Sequence, residues 1–186
     1  MHKGGHGVSE IVEEKLHEKM KKIRLLILDV DGVMTDGKII IDDVGNEVKH
    51  FNVRDGHGIK MLMKHGIDVV LLTGRRSKVV EHRAKDLGIS EVYQGAHDKL
   101  SIFEAILRSK ALRHENIAFV GDDIVDVPVL KRAGFSVAVA DAAEHVKKCV
   151  DYITHNSGGA GAVREVCEMI LEAQDKWGDI VTRYEL

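Results

Sequence analysis

The stretch that decides the fold is IRLLILDVDGVMTDG, residues 23–37. Five of the six residues before Asp29 are apolar, a pattern typical of a buried strand, and a second acid, Asp31, follows two positions later. Burying a carboxylate is costly unless an opposite charge or hydrogen-bond donors satisfy it. We therefore expect Asp29 and Asp31 to face a cation or other positive groups at the end of this strand.

Short apolar runs recur along the chain, and amphipathic segments separate them. Further apolar runs end before Thr73, Gly121 and Asp141, and helical patterns cover residues 77–88, 99–112 and 161–173. Short strands that alternate with helices of about a dozen residues are typical of an α/β fold with a parallel sheet. The sequence therefore predicts one α/β domain over residues 1–186.

Three segments depart from this alternation. Residues 1–22 predict an N-terminal helix after a His- and Gly-rich start. Residues 37–53 contain two extended runs around the turn-like DDVGN and predict a β-hairpin inserted after the first strand. Residues 174–186 form a C-terminal tail that carries the only Trp, and both docking at a neighbouring site and fraying are open for it.

Composition narrows the possible functions. The net charge of −3 argues against a nucleic-acid-binding protein, which would need a basic surface. No apolar run is long enough to span a bilayer, and the first residues lack the apolar core of a signal peptide. Cys149 and Cys167 have no metal-ligand spacing and predict no disulfide framework. We expect a cytoplasmic protein with neither nucleic-acid nor membrane partners.

Polar groups follow several of the predicted strands. In an open parallel sheet, ligands bind outside the carboxyl ends of the strands, so these groups should converge. They are Asp29, Asp31, Thr73, Lys99 and the acids of GDDIVD, residues 121–126. Clustered carboxylates without thiolates suit Mg²⁺, while a lysine and a hydroxyl suit phosphate oxygens. Because a carboxylate can also act as a nucleophile, the pattern predicts phosphoryl transfer.

Four motifs in this order, DVDGV, TGR, DKL and GDDIVD, resemble those of the haloacid dehalogenase (HAD) superfamily of phosphatases. The resemblance covers roughly residues 20–175 and implies a HAD-like, Rossmannoid three-layer fold. By the match, Asp29 is the nucleophile and a Mg²⁺ ligand. Asp31 is the general acid and base, and its main-chain carbonyl also binds the metal.

The same resemblance assigns the remaining catalytic positions. Thr73 and Lys99 would hold the transferring phosphoryl group, and Asp122 would be the third protein ligand of Mg²⁺. Asp123 and Asp126 would orient metal-bound waters or Lys99. Between Thr73 and Lys99 there is room for only one helix and one strand, so the fold should be capless and its site open unless another chain covers it.

The chain closely resembles the 3-deoxy-D-manno-octulosonate 8-phosphate (KDO 8-phosphate) phosphatase family. The resemblance rests on the capless pattern and on the segments FNVRDGHGIK (51–60) and GGAGAVREVCEMIL (158–171). The resemblance implies a phosphoric monoester hydrolase of lipopolysaccharide precursor synthesis. It also implies a homotetramer in which hairpins form a central barrel and neighbouring chains complete each active site. Exposed edge strands in the hairpin would favour such pairing.

The match to this family also implies the substrate-binding residues. Contacts to the sugar acid are implied for Asn52, Val53, Arg54, Asp55 and Gly56. Anionic groups would be bound by Lys60, Arg75, Arg83 and Lys99, with Gly74 beside them. The family often has arginine at position 60, and lysine keeps the charge there but loses the bidentate geometry.

Several alternatives stay open from sequence. The substrate could be a nine-carbon, sialic-acid-type 9-phosphate, because both sugar acids present a 2-keto carboxylate and a terminal phosphate. A non-catalytic oligomerisation module and a phosphoacceptor receiver domain are minor alternatives. The Gly-rich segment 156–163 could bind an anion or simply cap the following helix.

Overall fold

The structure, a computed structural model, describes residues 6–185, with the side chains of residues 12–183 and 185. The strands in this part of the chain are β1 (Leu25–Leu28), β2 (Ile40–Ile41), β3 (Glu47–Val48), β4 (Asp68–Leu72), β5 (Glu91–Tyr93), β6 (Ile117–Gly121), β7 (Phe135–Ala138) and β8 (Tyr152–Ile153). The helices are α1 (His6–Lys21), α2 (Val53–Lys64), α3 (Lys78–Leu87), α4 (Lys99–Lys110), α5 (Val127–Leu130), α6 (Glu144–Lys147), α7 (Ala162–Ala173) and α8 (Trp177–Tyr184). None of these helices has the length and apolarity to cross a bilayer.

Six strands form one parallel sheet in the order β5-β4-β1-β6-β7-β8. Strand β1 is central and all four of its residues are buried, as both faces of a parallel sheet usually are. Leu28 at its end is aligned with Leu71 of β4 and Val120 of β6. This register brings the loops that follow the three strands to one edge of the sheet.

Helices cover the sheet and enclose the core. Helix α7 packs against α2 and α1, and α4 packs against α5. The buried face of α7 includes Val163, Val166, Ile170 and Leu171, which recur at helical spacing. The predicted α/β fold with a central parallel sheet is confirmed, and only one helix and one strand lie between Thr73 and Lys99.

The predicted hairpin is present but shorter than its range. Strands β2 and β3 pair antiparallel, with Ile40 opposite Val48. The predicted end at residue 53 is wrong, because Val53 already begins α2. Asn52 is the N-cap of that helix, and its side-chain oxygen accepts a hydrogen bond from the backbone N–H of Arg54 at 2.7 Å.

Both ends of the described chain are helical. The predicted N-terminal helix corresponds to α1, whereas residues 1–5 lie outside the described residues. The segment predicted as a tail, residues 174–186, contains α8. Ile180 in this helix is buried and Trp177 packs against the core, so residues 177–184 are not frayed. An amphipathic pattern over these residues was the signal for α8.

The Gly-rich loop before α7 packs against the loop that follows β1. Gly159 donates its backbone N–H to the Val33 carbonyl at 2.9 Å, and Gly158 donates to Asp141 Oδ1 at 2.9 Å. A Cβ atom at Gly158 would overlap the carbonyl oxygen of Gly32. The close approach of the two backbones therefore explains why residue 158 is a glycine, and no anion-binding role is required to explain it.

We expect Gly158→Ala to lower the free energy of unfolding by about 3 kcal/mol, because the new methyl group would force the two loops apart. Urea unfolding measures the change. Gly178→Ala in α8 is the matched control, because no atom of the described residues outside its own helix lies within 4 Å of the place its methyl group would take. That variant should be neutral or more stable by about 0.5 kcal/mol. Equal stability of both variants would contradict the packing argument.

Candidate active site

Asp29 and Lys99 form the centre of the site. Asp29 follows β1, and its backbone N–H donates to the Val120 carbonyl of β6 at 3.1 Å, which fixes its position. Lys99 is the first residue of α4, and its Nζ lies 2.8 Å from Asp29 Oδ1 and 2.6 Å from Asp126 Oδ1. Burial lowers the pKa of Lys99, but the two carboxylates outweigh this and raise it. The lysine is therefore a fixed positive charge.

Three carboxylates meet around this lysine. Asp29, Asp122 and Asp126 each place an oxygen within 4.8 Å of the others. Asp126 is fully buried, and its Oδ2 accepts hydrogen bonds from the backbone N–H groups of Asp122 and Asp123. With one ammonium and three carboxylates, the cluster has a formal excess of two negative charges. A hard divalent cation fits this donor set and its charge.

The pKa values of two acids in the cluster reflect the same excess of negative charge. Burial raises the pKa of Asp29 from 3.8 to about 6, with Lys99 opposing and Asp126 adding to the effect. Burial also raises the pKa of Asp122 from 3.8 to about 8, and Asp29 and Asp126 add repulsion. Both shifts are those of acids that lack sufficient positive charge nearby.

Asp31 belongs to a second charged group beside the first. Its carboxylate contacts Nζ of Lys49, and Nε of Arg75 lies 3.7 Å away. Glu47 joins them, with Oε1 at 3.2 Å from Lys49 and 2.9 Å from Arg75. Sequence reasoning missed Lys49 and Glu47. Their only local signal is a pair of opposite charges in the hairpin, which is common on solvated strands.

Most of the predicted catalytic residues line one cavity of about 340 Å³. The predicted residues among its lining are Asp29, Asp31, Thr73, Gly74, Arg75, Lys99, Asp122 and Asp123. Thr73 is buried, and its backbone is fixed between Tyr93 and Ala96 by hydrogen bonds of 2.9 and 3.0 Å. The convergence predicted from the strand ends is thus present in the structure.

A second group of predicted residues lines a separate groove of about 190 Å³. This groove contains Val53, Gly56, Lys60 and Arg83. Arg83 donates to the Asn52 carbonyl at 3.3 Å and pairs with Asp86 at 2.7 Å. Arg75 precedes α3, which begins at Lys78, so Arg75 and Arg83 do not share a helix face. One chain therefore divides the predicted substrate-binding residues between two places.

The remaining predicted contacts have structural roles or lie on the surface. Asp55 is 2% exposed, and its Oδ1 accepts a hydrogen bond from the backbone N–H of Arg164 at 2.8 Å, at the start of α7. This contact joins α2 to the start of α7, and Asp55 does not line the catalytic cavity. Arg54 is exposed, and the Asn52 side chain caps α2.

Comparison with known proteins agrees with this geometry. A sheet of this topology with such a site defines a haloacid dehalogenase-like hydrolase, and the model of that family matches residues 86–166. The chain is 51% identical over 158 residues to the 3-deoxy-D-manno-octulosonate 8-phosphate phosphatase KdsC of Salmonella typhi, covering 85% of this chain and 84% of that protein. The chain belongs to the KDO 8-phosphate phosphatase family.

Two solved structures extend the comparison. The Yersinia pestis KDO 8-phosphate phosphatase is 48% identical, with a TM-score of 0.88 and coverage of 89% of both chains. The Moraxella catarrhalis KDO 8-phosphate phosphatase, in complex with magnesium, phosphate and KDO, is 40% identical with a TM-score of 0.90. That comparison covers 92% of this chain and 98% of the other.

We expect the metal-free protein to lose stability as pH rises from about 4 towards about 8. The folded-state pKa values of Asp29 and Asp122, about 6 and about 8, exceed the usual 3.8, so the folded state binds more protons over this range. A cation replaces these protons, so MgCl₂ should raise Tm more at pH 8 than at pH 6. Thermal unfolding with EDTA or MgCl₂ measures both effects.

Asp122→Asn is the informative variant for this prediction. It should stabilise the metal-free protein at pH 8 and remove most of the Mg²⁺-dependent rise in Tm. Asp36→Asn, an exposed acid paired with Lys38, is the matched control and should behave as wild type. A Tm that Mg²⁺ leaves unchanged at both pH values would contradict the cation site.

Proposed function

We propose that the protein is a Mg²⁺-dependent phosphomonoesterase that hydrolyses KDO 8-phosphate to KDO and phosphate through an aspartyl-phosphate on Asp29. The observation that carries this proposal is the buried Asp29–Lys99–Asp126 arrangement beside Asp122, in a chain about half identical to named KDO 8-phosphate phosphatases. A non-catalytic module would not need to keep these buried charges, which are costly to assemble.

In the first step, a carboxylate oxygen of Asp29 attacks phosphorus, and the P–O bond to the sugar breaks. Lys99 and the Thr73 hydroxyl stabilise the negative charge on the phosphoryl oxygens. Asp31 gives its proton to the leaving oxygen, so the sugar departs as an alcohol. Asp29 now carries the phosphoryl group, and Asp31 is ionised.

In the second step, Asp31 takes a proton from a water molecule, whose oxygen attacks the phosphoryl group on the side opposite Asp29. The bond between phosphorus and Asp29 breaks, which releases inorganic phosphate and restores the carboxylate. Asp31 is protonated again and ready for the next substrate. The overall reaction consumes one phosphate ester and one water.

Asp29 and Asp122 would hold the metal, together with the main-chain carbonyl of Asp31. Asp123 and Asp126 would orient bound waters or, in the case of Asp126, Lys99. When bound, Mg²⁺ supplies positive charge that lets Asp29 and the phosphoryl group approach each other. The magnesium prediction agrees with the net charge of the acidic cluster and with the magnesium found in the Moraxella catarrhalis relative.

Arg75 is the residue of the catalytic cavity that is best placed to bind the substrate carboxylate. Its side chain is 41% exposed at the cavity, and Glu47 holds it without burying it. Lys60 and Arg83 lie in the separate groove of the same chain. We therefore propose that a second copy of the chain brings this groove, with Asn52, Val53, Arg54 and Gly56, towards a neighbour's cavity.

The hairpin supports a homotetramer with shared sites. Its apolar side chains are exposed in the single chain: Ile39, Ile40, Ile41, Val44 and Val48. A cluster of this kind on short strands is favourable only if another chain covers it. We propose that this tetramer acts in the cytoplasm, in lipopolysaccharide precursor synthesis. The unpaired thiols of Cys149 and Cys167 suit that compartment.

A panel of sugar-acid phosphates compared by kcat/KM tests the substrate. We expect KDO 8-phosphate to exceed nine-carbon 9-phosphates by at least about 10-fold. Asp29→Asn should lower kcat by at least about 10⁴-fold while the fold persists, because the nucleophile is lost. Asp36→Asn, on the same loop, is the control. Wild-type turnover by Asp29→Asn, or a preference for a nine-carbon substrate, would contradict the corresponding part of the proposal.

Charging the hairpin tests the assembly. Ile41→Asp should convert the tetramer to smaller species in light scattering and lower kcat/KM for KDO 8-phosphate, because each site would lose its neighbour. Val12→Asp is the matched control, since Val12 on α1 is 57% exposed and Ile41 is 59% exposed. A fully active wild-type monomer would refute the shared site.

A further inference from the structure

Lys49 lies on the segment that leads from the hairpin strand β3 into α2, and its side chain is directed into the protein. The side chain is 1% exposed, its Nζ contacts Oδ1 of Asp31, and Glu47 Oε1 lies 3.2 Å away. A buried ammonium is tolerated only where acceptors replace its lost water. Asp31 and Glu47 are those acceptors, so the lysine and the two acids depend on one another.

The two oxygens of Asp31 face different cations. Lys49 contacts Oδ1, whereas Arg75 Nε lies 3.7 Å from Oδ2. The Arg75 side chain is 41% exposed, and exposed ion pairs contribute little to the orientation of a side chain. Lys49 is therefore the contact that fixes the Asp31 carboxyl group.

Lys49 and Lys99 serve different acids. Lys99 donates to Asp29 and Asp126, and it reaches the site from the start of α4. Lys49 reaches the site from the hairpin and pairs with Asp31 and Glu47. Each of the two central carboxylates thus has its own buried lysine.

We propose that Lys49 is a positioning residue that holds Asp31 in place for proton transfer to the leaving oxygen. The proton moves from Asp31 to the sugar oxygen as the P–O bond breaks. Because Lys49 adjoins β3, this contact links the hairpin segment to the Asp31 carboxyl group. The inference rests on the proposed function, since it concerns the proton that Asp31 transfers.

Two substrates with different leaving groups can distinguish an effect on proton transfer from an effect on the rest of the reaction. KDO 8-phosphate releases a strongly basic alkoxide unless Asp31 protonates it, whereas p-nitrophenyl phosphate releases a phenolate that is stable without a proton. For both substrates, kcat/KM reports the steps up to the breaking of this P–O bond. Loss of positioning should therefore lower kcat/KM for the alkyl ester selectively.

The variant for the test is Lys49→Met, which keeps most of the side-chain length and removes the charge. We expect kcat/KM for KDO 8-phosphate to fall by about 10- to 100-fold through kcat, and kcat/KM for p-nitrophenyl phosphate by less than about 3-fold. Lys49→Arg should recover most of the loss. Lys38→Met is the matched control, because Lys38 is an exposed lysine near β2 that pairs with Asp36.

A double variant tests whether Lys49 acts through Asp31. Asp31→Asn should show the same selective loss for the alkyl ester, by about 10²-fold or more. Adding Lys49→Met to Asp31→Asn should cause little further loss, because the two residues act through one interaction. Independent, multiplying losses would overturn the inference.

Two other outcomes for Lys49→Met would also overturn the inference. One is an equal loss of kcat/KM for both substrates at unchanged Tm, and the other is a rise in KM for KDO 8-phosphate at unchanged kcat. If Lys49→Met does not fold, Glu47→Gln, which weakens the other contact of Lys49, should lower kcat for KDO 8-phosphate selectively. Glu47 also pairs with Arg75, so a loss confined to KM, or a parallel loss for both substrates, would overturn the inference. Wild-type protein that hydrolyses neither ester would refute the proposed function and the inference together. The other outcomes refute the inference alone.

Discussion

The buried contact of Lys99 with Asp29 and Asp126 is the interaction on which the rest of the site depends. Asp29 and Asp126 follow the neighbouring strands β1 and β6, and Lys99 reaches them from the start of α4, which follows β5. An ammonium with 4% of its side chain exposed needs both partners, so the contact also fixes α4 against the sheet. The same contact therefore stabilises the fold and positions the candidate catalytic groups.

The excess of negative charge makes the site suitable for a cation. The Lys99 cluster has more carboxylates than it can neutralise, which raises the pKa of both Asp29 and Asp122. Asp126 differs from them in its contacts, since it accepts hydrogen bonds from two backbone N–H groups and from Lys99. Asp29 and Asp122, whose pKa values are raised, are also the two side chains that the resemblance assigns to the metal. The fold therefore leaves negative charge uncompensated at the position where a cation would bind.

A second charged group connects this centre to the hairpin. Lys49 and Arg75 hold Asp31 and Glu47, and two of the four residues belong to the hairpin segment. The outer surface of the same hairpin exposes isoleucines that suit another chain. The proposed assembly surface and the proposed positioning residue Lys49 therefore lie on one short segment, because the side chains of a hairpin can face two surfaces.

The sequence by itself determined the α/β fold, the hairpin and the convergence of Asp29, Asp31, Thr73, Lys99 and Asp122. Burial of a strand and the position of the residue that follows it are local properties, and the parallel sheet places strand ends together. Only the tertiary structure decided that Lys49 pairs with Asp31, that Asp55 holds α7, and that Arg83 lies apart from Arg75. Each of these contacts depends on how segments distant in the chain approach one another. Lysine, arginine and aspartate are also common on exposed surfaces, so their presence in the sequence does not reveal a buried contact.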